Sequence, residues 1–245
     1  MAGPARTPRL SPWGRLVAVC AVLVLGFVGL LAAWALASRE ERVVTSAVDG
    51  SVDGLDLDLG DADVAVVGGG RRPAIGMERT DRFSFGQDAS IARRLDGSVM
   101  RVRARCPKGV PDLCSASYRI VVPDNVPVDV RTTSGSVRFT DYTGSARVAT
   151  RSGAIAVSGF CGFSLEARAE SGPIDVVTAC PVQRLTLRST SGDVRVAVPP
   201  ARYMVEAESA SGEEHVAGLT AAPDAIYTIQ ALSSTGDVRV EGRGP

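Results

Sequence analysis

The stretch Leu185-Thr186-Leu187-Arg188-Ser189-Thr190-Ser191-Gly192-Asp193-Val194-Arg195-Val196 reads as two short strands meeting at a Ser-Gly corner. Leu185, Leu187 and Ser189 stand six, four and two places before Ser191, and Val194 and Val196 three and five places after it. The residues between them are polar or charged. Alternation of this kind marks strands with one buried face.

The same pattern recurs through the C-terminal half. Ser134-Gly135, Ser152-Gly153, Ser171-Gly172, Ser191-Gly192, Ser211-Gly212 and Thr235-Gly236 follow one another at spacings of 18, 19, 20, 20 and 24 residues. Inward positions run from Val128, Val130 and Thr132 in the first unit to Ile229, Ala231 and Ser233 in the last. A period near twenty signals stacked units, each too thin to bury its own apolar side. The expected fold is all-β: a β-solenoid, β-helix-like, with rungs of about 20 residues in six successive units. Glycine's tolerance of positive φ is the expected reason for each sharp corner, with the adjacent Ser or Thr bonding nearby backbone.

Cysteine placement agrees with this register. Cys161 and Cys180 each lie nine residues beyond their unit's serine, on adjacent rungs. Stacked strands lie about 4.8 Å apart, within the Cα separation a disulfide accepts. A Cys161–Cys180 staple is therefore expected. Cys106 and Cys114 bracket a Pro- and Gly-containing loop that a second disulfide would close. No Cys-x-x-Cys pair and no second histidine support a metal site, and no cofactor is expected.

Residues 45–125 also look strand-like but less regular, as lead-in strands and a cap to the regular repeats over 126–242. Leu55, Leu57 and Leu59 alternate with Asp56 and Asp58, and Tyr118, Ile120 and Val122 alternate before Pro123-Asp124-Asn125. Gly68-Gly69-Gly70 marks a loop.

The N-terminus has a different character. Leu16 to Ala37 runs without a charge, long enough to cross a bilayer as a helix. Arg6, Arg9 and Arg15 precede it with no acidic residue, whereas Arg39, Glu40, Glu41 and Arg42 after it cancel. The charge bias places a tail over 1–15 in the cytoplasm, a signal anchor over 16–37, a linker over 38–44 and the β domain over 45–245 outside. Cleavage near Ala37, after the small-x-small pattern Ala35-Leu36-Ala37, is the alternative, giving a secreted domain.

Charge excludes one class of partner. The 27 Lys+Arg balance 27 Asp+Glu, and removing the first 42 residues leaves 22 basic and 25 acidic groups. A near-neutral domain has no electrostatic footprint for nucleic acid.

The run from Val122 into Thr133-Ser134-Gly135-Ser136-Val137, and the later Ser191-Gly192-Asp193-Val194, resemble a family of bacterial β-strand-repeat domains of unknown function labelled candidate adhesins. The resemblance covers roughly residues 45–242. It implies a β-solenoid-like fold on an exported, often membrane-tethered protein, and it brings no catalytic residues. Glu214 departs from the pattern, because an apolar residue is expected there.

The search for chemistry returns little. A serine nucleophile at a corner needs His or Lys as base, and the chain has one of each, His215 and Lys108. Gly-x-Ser-x-Gly and Ser-x-x-Lys are both absent. Asp56-x-Asp58-x-Gly60 begins like a calcium loop, but Val67 stands where the bidentate Glu would be; these aspartates read more simply as the wet side of a strand. Asp49, Asp53, Asp61 and Asp63 extend the acidic run. Arg138, Ala156, Asp175, Arg195, His215 and Arg239 each stand four places after a corner residue and should align as one outer ladder, with Asp175 and Arg195 as a cross-rung ion pair. An inward Glu214 would be costly to bury, so a bulge or fraying is expected there, and Glu214 with His215 is a candidate site.

Expectation therefore settles on a non-enzymatic, membrane-anchored module used as an adhesin or envelope scaffold, meeting an envelope glycan or a membrane protein. An extracytoplasmic sensing or regulatory subunit acting through a membrane partner is the second reading. A polysaccharide-acting enzyme with paired outer carboxylates is the third.

Overall fold

The computed structural model describes residues 12–37, 39–48, 52–71, 74–84, 90–106 and 114–243. The chain divides into two units, Met1–Glu40 and Glu41–Pro245. In the first, α1 (Pro12–Ala37) is a helix of 26 residues. Its described side chains, Trp13 and residues 19–31, are exposed. Among the described residues no helix is long and apolar enough to cross a membrane. The expected span over Leu16–Ala37 thus falls only partly on described side chains, and tail residues 1–11 lie outside the described residues.

In the second unit β-branched and apolar alternation forms strands almost throughout. The lead-in half holds β1 (Arg39–Val48), β2 (Gly54–Gly60), β3 (Asp63–Gly68), β4 (Ile75–Ser84), β5 (Ser90–Asp96), β6 (Val99–Arg105) and β7 (Cys114–Val122). The regular half holds β8 (Val128–Thr132), β9 (Val137–Thr140), β10 (Ala146–Thr150), β11 (Ile155–Phe160), β12 (Ser164–Ala169), β13 (Ile174–Thr178), β14 (Arg184–Ser189) and β15 (Val194–Val198). It ends with β16 (Arg202–Ser209), β17 (Glu214–Ala217), β18 (Thr220–Ala221), β19 (Tyr227–Ser233) and β20 (Val238–Gly242). Residues 39–44, expected as a linker, belong to β1, because Val43-Val44-Thr45 is a β-branched run that favours extended backbone.

From β6 to β18 successive strands alternate between two ten-stranded sheets. Sheet 1 runs β1-β4-β7-β3-β9-β11-β13-β15-β20-β17, and sheet 2 runs β18-β16-β19-β14-β12-β10-β8-β2-β6-β5. Rungs pair in parallel and in register, as in Ala146↔Leu165, Val148↔Ala167 and Thr150↔Ala169. The exceptions are the antiparallel pairs β4–β7 and β5–β6 at one end. Inward side chains of both sheets form one core: Leu57, Val130, Val148, Leu187 and Val194 are fully buried. Among the three buried aromatics of the middle rungs, Tyr142 sits between Phe139 and Phe160, with ring centroids 5.5 and 6.1 Å away.

The units do not stack in chain order. The last unit, β19 and β20, lies between β14/β15 and β16/β17, so the fifth unit is the terminal rung. The lead-in half makes the same move: β2/β3 contacts β8/β9, while β6/β7, which follows in sequence, lies outside β2/β3. Six consecutive rungs were expected. Burial explains the departure, since a terminal rung has a neighbour on one side only and suits the unit with the poorest apolar face.

Glu214 corrects a second expectation. It is exposed at the start of edge strand β17, which pairs regularly with β20 and carries no bulge. Its carboxylate accepts the Ser209 N–H at 2.7 Å. An end rung leaves this position wet, so no buried charge arises.

The corner glycines correct a third. Among the described residues the glycines with positive φ are Gly60, Gly70, Gly97, Gly159 and Gly218, and no Ser-Gly corner is among them. A Cβ on Gly153 would stand 2.1 Å from the Gly135 carbonyl oxygen, one on Gly172 1.9 Å from that of Gly153, and one on Gly192 2.1 Å from that of Gly172. Glycine is required because corners of neighbouring rungs press backbone against backbone.

Candidate functional site

Five of the six corners are held by two hydroxyls with separate tasks; the corner at Ser171 has Ala169 at the inner position. The inner one, two places before the corner residue, is buried at Thr132, Thr150, Ser189 and Ser233 and half-buried at Ser209. Thr150, Ser189, Ser209 and Ser233 accept the N–H of Gly153, Gly192, Gly212 and Gly236 at 2.8–3.0 Å. Several also donate to the next rung: Ser233 to the Gly192 carbonyl at 3.0 Å and Ser209 to the Gly236 carbonyl at 2.8 Å. This ladder follows stacking order, not chain order.

The outer hydroxyl is the one that sequence offered as a nucleophile. Ser152, Ser171, Ser191, Ser211 and Thr235 point to backbone carbonyls of the adjacent rung, those of Thr133, Arg151, Glu170, Ser234 and Thr190, at 3.1–3.4 Å. Ser134 donates instead to Asp61 at 2.8 Å. Bonded in this way, the corner serines act as rung-to-rung ties. His215 lies on exposed β17 in register with Arg239. Lys108 lies outside the described residues.

Cys161 and Cys180 are joined by a disulfide with Cα atoms 5.1 Å apart, across adjacent rungs. Cys106 is also disulfide-bonded. The Cys114 side chain and loop 107–113 lie outside the described residues. Cys20 is the free cysteine among the described residues.

On sheet 1 the outer ladder aligns as Arg138, Ala156, Asp175, Arg195, Arg239 and His215, with the last two exchanged by the inserted rung. Arg195 reaches Asp175 at 3.5 Å and Asp193 at 2.7 Å. Nearer the lead-in end, Ala65 lies between Arg119 and Arg138 in register. Small side chains there leave a shallow groove of about 470 Å³, floored by Ala65, Ala154 and Ala156 and flanked by Arg119, Arg138 and Glu78.

Sheet 2 carries the denser charge pattern. Asp56 accepts from Arg131 at 3.1 Å and lies 3.5 Å from Arg101; Asp129 accepts from Arg131 at 2.7 Å; Arg147 reaches Glu166 at 3.0 Å. Asp58 pairs with Arg105 at 2.6 Å. Within the acidic run Asp56 and Asp58 thus partner arginines, whereas Asp61 and Asp63 accept from the Ser134 hydroxyl and the Ser136 N–H, and no group of residues suited to a metal ion occurs among the described residues. Beside this row lies an open groove of about 400 Å³ with Gly54, Pro127, Ser145 and Ser164 along it and Asp129 at its wall. Desolvation pushes the Asp129 carboxyl above its usual range, with Arg131 opposing and Asp56 reinforcing the shift. One oxygen of Asp129 is buried without a partner.

Sequence reasoning missed three features. The inner hydroxyls passed as strand positions, since Thr and Ser alternate as apolar residues do. The buried Arg79–Asp81 pair on β4 shows no pattern at all. Tyr118, buried beside it, has a hydroxyl without a partner and a pKa pushed up by desolvation.

With this geometry in place, the family model described as Toastrack DUF4097 matches residues 126–241, from just before β8 to the last strand. Over that segment the chain is similar to the Toastrack DUF4097 family. The matched Toastrack segment holds all six Ser-Gly corners, and β2 to β7 continue its two sheets beyond it. No curated protein matches the chain. Among solved structures, it is similar to a candidate cell adhesion protein from Clostridium sporogenes. That match has 11% identity and a TM-score of 0.49, covering 83% of this chain and 100% of that one. It is also similar to a candidate adhesin from Bacteroides fragilis, at 8% identity and a TM-score of 0.45, covering 82% and 97%.

Proposed function

We propose that the protein is a non-enzymatic, membrane-anchored surface module whose Toastrack domain makes adhesive or scaffolding contacts outside the cell. The observation that carries this reading is how the candidate reactive groups are used. Corner hydroxyls tie rungs, and the outer carboxylates of sheet 2 are matched by arginines. What remains for a partner is a rigid, charged, shallow surface with two open grooves. Surfaces of this kind fit extended or flat partners better than small substrates, which favour enclosed pockets.

Anchoring is supported by the uncharged run Leu16–Ala37 and by helix α1, whose Val22, Leu23, Leu25 and Leu30 are 66–71% exposed. Apolar side chains exposed in that number need a covering phase, and the bilayer supplies one. Arginines before the run favour a cytoplasmic N-terminus. The disulfide chemistry fits an oxidising exterior. The partner is an envelope glycan or a membrane protein.

Crosslinking of the full-length protein in native membranes, followed by identification of what co-purifies, tests the reading. Glycan or structural envelope protein supports adhesion or scaffolding. A stoichiometric signalling protein favours the regulatory-subunit alternative. Recovery in the alkali-extractable fraction without detergent would refute the anchor.

A further inference from the structure

The two ends of the stack differ in charge. The terminal rung at one end, Arg202–Ala217, carries Glu206, Glu208, Glu213 and Glu214, all exposed, against Arg202 alone, which pairs with Asp224 at 2.6 Å. The hairpin at the other end, Ser90–Arg105, carries Arg93, Arg94, Arg101, Arg103 and Arg105 against Asp96 alone. Arg101 and Arg105 have carboxylate partners. Among the described residues Arg93, Arg94 and Arg103 form no ion pair, and all three are exposed.

Both ends also leave backbone and core incompletely covered. β18 pairs with β16 only at Arg202 and Tyr203, so Met204–Ser209 presents an open edge. Val205 and Ala207, at core positions of the repeat, are only half-buried there, and Val216 is 48% exposed. At the opposite end β5 is the edge strand of sheet 2, with Ile91 half-buried and Leu95 65% exposed. A repeat stack normally closes with a polar cap. Here the first end shows an apolar interior rimmed by glutamates, while at the other the β5–β6 hairpin of sheet 2 is basic and the sheet 1 strands β1 and β4 balance four arginines with four acidic residues, which leaves that end net basic.

We infer that the acidic end receives the basic end of a second copy of this chain, edge strand β16 meeting edge strand β5, so that the two stacks associate head to tail. Like ends repel, which blocks the edge-to-edge pairing that open strands invite; unlike ends attract and orient. Such a contact is heterologous and does not close by two-fold symmetry, so it propagates. Two sheets about 10 Å apart with strands of 17–20 Å enclose an end face of roughly 200 Å² per partner before the rim side chains are counted, so the contact belongs with the smallest, weakest class. Association is therefore expected to be weak, to show only at high protein concentration and to be strongest in dilute salt. The inference does not depend on what the outer grooves bind.

The test is a charge exchange on the full chain in detergent, read by sedimentation equilibrium. One variant carries Glu206→Arg, Glu208→Arg and Glu213→Arg; the other carries Arg93→Glu, Arg94→Glu and Arg103→Glu. Unchanged β-sheet circular dichroism checks that both fold. The native protein should show an average mass that rises with concentration and falls back several-fold in strong salt. Each variant alone should remain monomeric, because its two ends then share a sign. An equimolar mixture should associate again. A native protein that stays monomeric at several hundred micromolar overturns the inference. Variants that self-associate like the native chain overturn it too, since contact would then run through another surface such as α1, and so does a folded mixture that stays monomeric.

Discussion

Replacing Gly172 by alanine should cost far more than replacing Gly97, although Gly97 is the residue with φ of +62°. A Cβ at Gly172 would stand 1.9 Å from the Gly153 carbonyl oxygen and 2.7 Å from its carbon. Both atoms are backbone, so no rotamer change gives relief. Ordinary contact requires the two corners to separate by about 1.3 Å. Three backbone hydrogen bonds cross this interface: Ser171 N–H to Arg151 at 2.8 Å, Glu170 N–H to Thr150 at 3.2 Å and Ile155 N–H to Pro173 at 2.9 Å. A separation of that size carries them past bonding range. At about 1 kcal/mol net for each, the loss is about 3 kcal/mol. At Gly97 an added Cβ meets nothing within 4 Å, so only the left-handed backbone is penalised, by about 1 kcal/mol. Guanidinium denaturation followed by β-sheet circular dichroism gives both values. Equal costs, or a larger one at Gly97, would show that corner glycines serve conformation and that close rung approach is not what selects them.

The other predictions use the same measurement. Ser233→Ala removes a hydroxyl that accepts from Gly236 and donates to Gly192, leaving two buried backbone groups unpaired, and should cost about 2 kcal/mol; Ser171→Ala, at an exposed corner, should cost under about 1 kcal/mol. Replacing Cys161 and Cys180 together by serine opens a link of 19 residues and should cost about 3 kcal/mol, with no further loss on adding reductant at that site. Burial pushes the Tyr203 phenol up to about 12 from 10. The folded state therefore holds a proton that the unfolded chain releases, and stability should be intact below pH 10 and fall as pH rises toward 12. Tyr142 and Tyr118 are raised in the same sense by desolvation, so Tyr203→Phe should make the alkaline decline shallower without abolishing it.

Much of the regular half was legible because its signals are local and repeated. Period-two alternation named the inward residues, and the corners fixed where each strand ends. A constant offset of nine residues placed Cys161 and Cys180 on neighbouring rungs. The outer ladder of sheet 1 and the Asp175–Arg195 pair followed from the same offsets. The reason for the corner glycines was not legible, because a clash with the next rung is a property of two segments, whereas φ is a property of one. The Arg79–Asp81 pair and the unpartnered Tyr118 hydroxyl were hidden for a similar reason: β4 and β7 pair antiparallel across a long connection, and no repeat predicts which residues meet. The two grooves arise where small residues on different rungs happen to align, Ala65 with Ala154 and Ala156, or Gly54 with Ser145 and Ser164. Such alignment appears only once stacking order is known.

Stacking order is itself an energetic outcome that chain order does not dictate. A rung inside the stack is covered on both flanks, and the last unit is built for that place: Ile229, Ala231, Val238 and Val240 are all at most 1% exposed. The fifth unit is not, since its corresponding positions hold Val205, Ala207, Glu214 and Val216. Placing it inside would bury the Glu214 carboxylate in an apolar stack, a cost of several kcal/mol, while leaving the better apolar face of the last unit half-exposed. Both penalties vanish when the last unit is inserted and the fifth is moved outward. The longer spacing of 24 residues before Thr235 supplies the chain that this return requires: the segment between β17 and β19 carries β18 and the Pro223-Asp224 turn past the terminal rung. The same exchange leaves four glutamates at the free end, so the solution to a burial problem also creates the acidic face on which end-to-end association would depend.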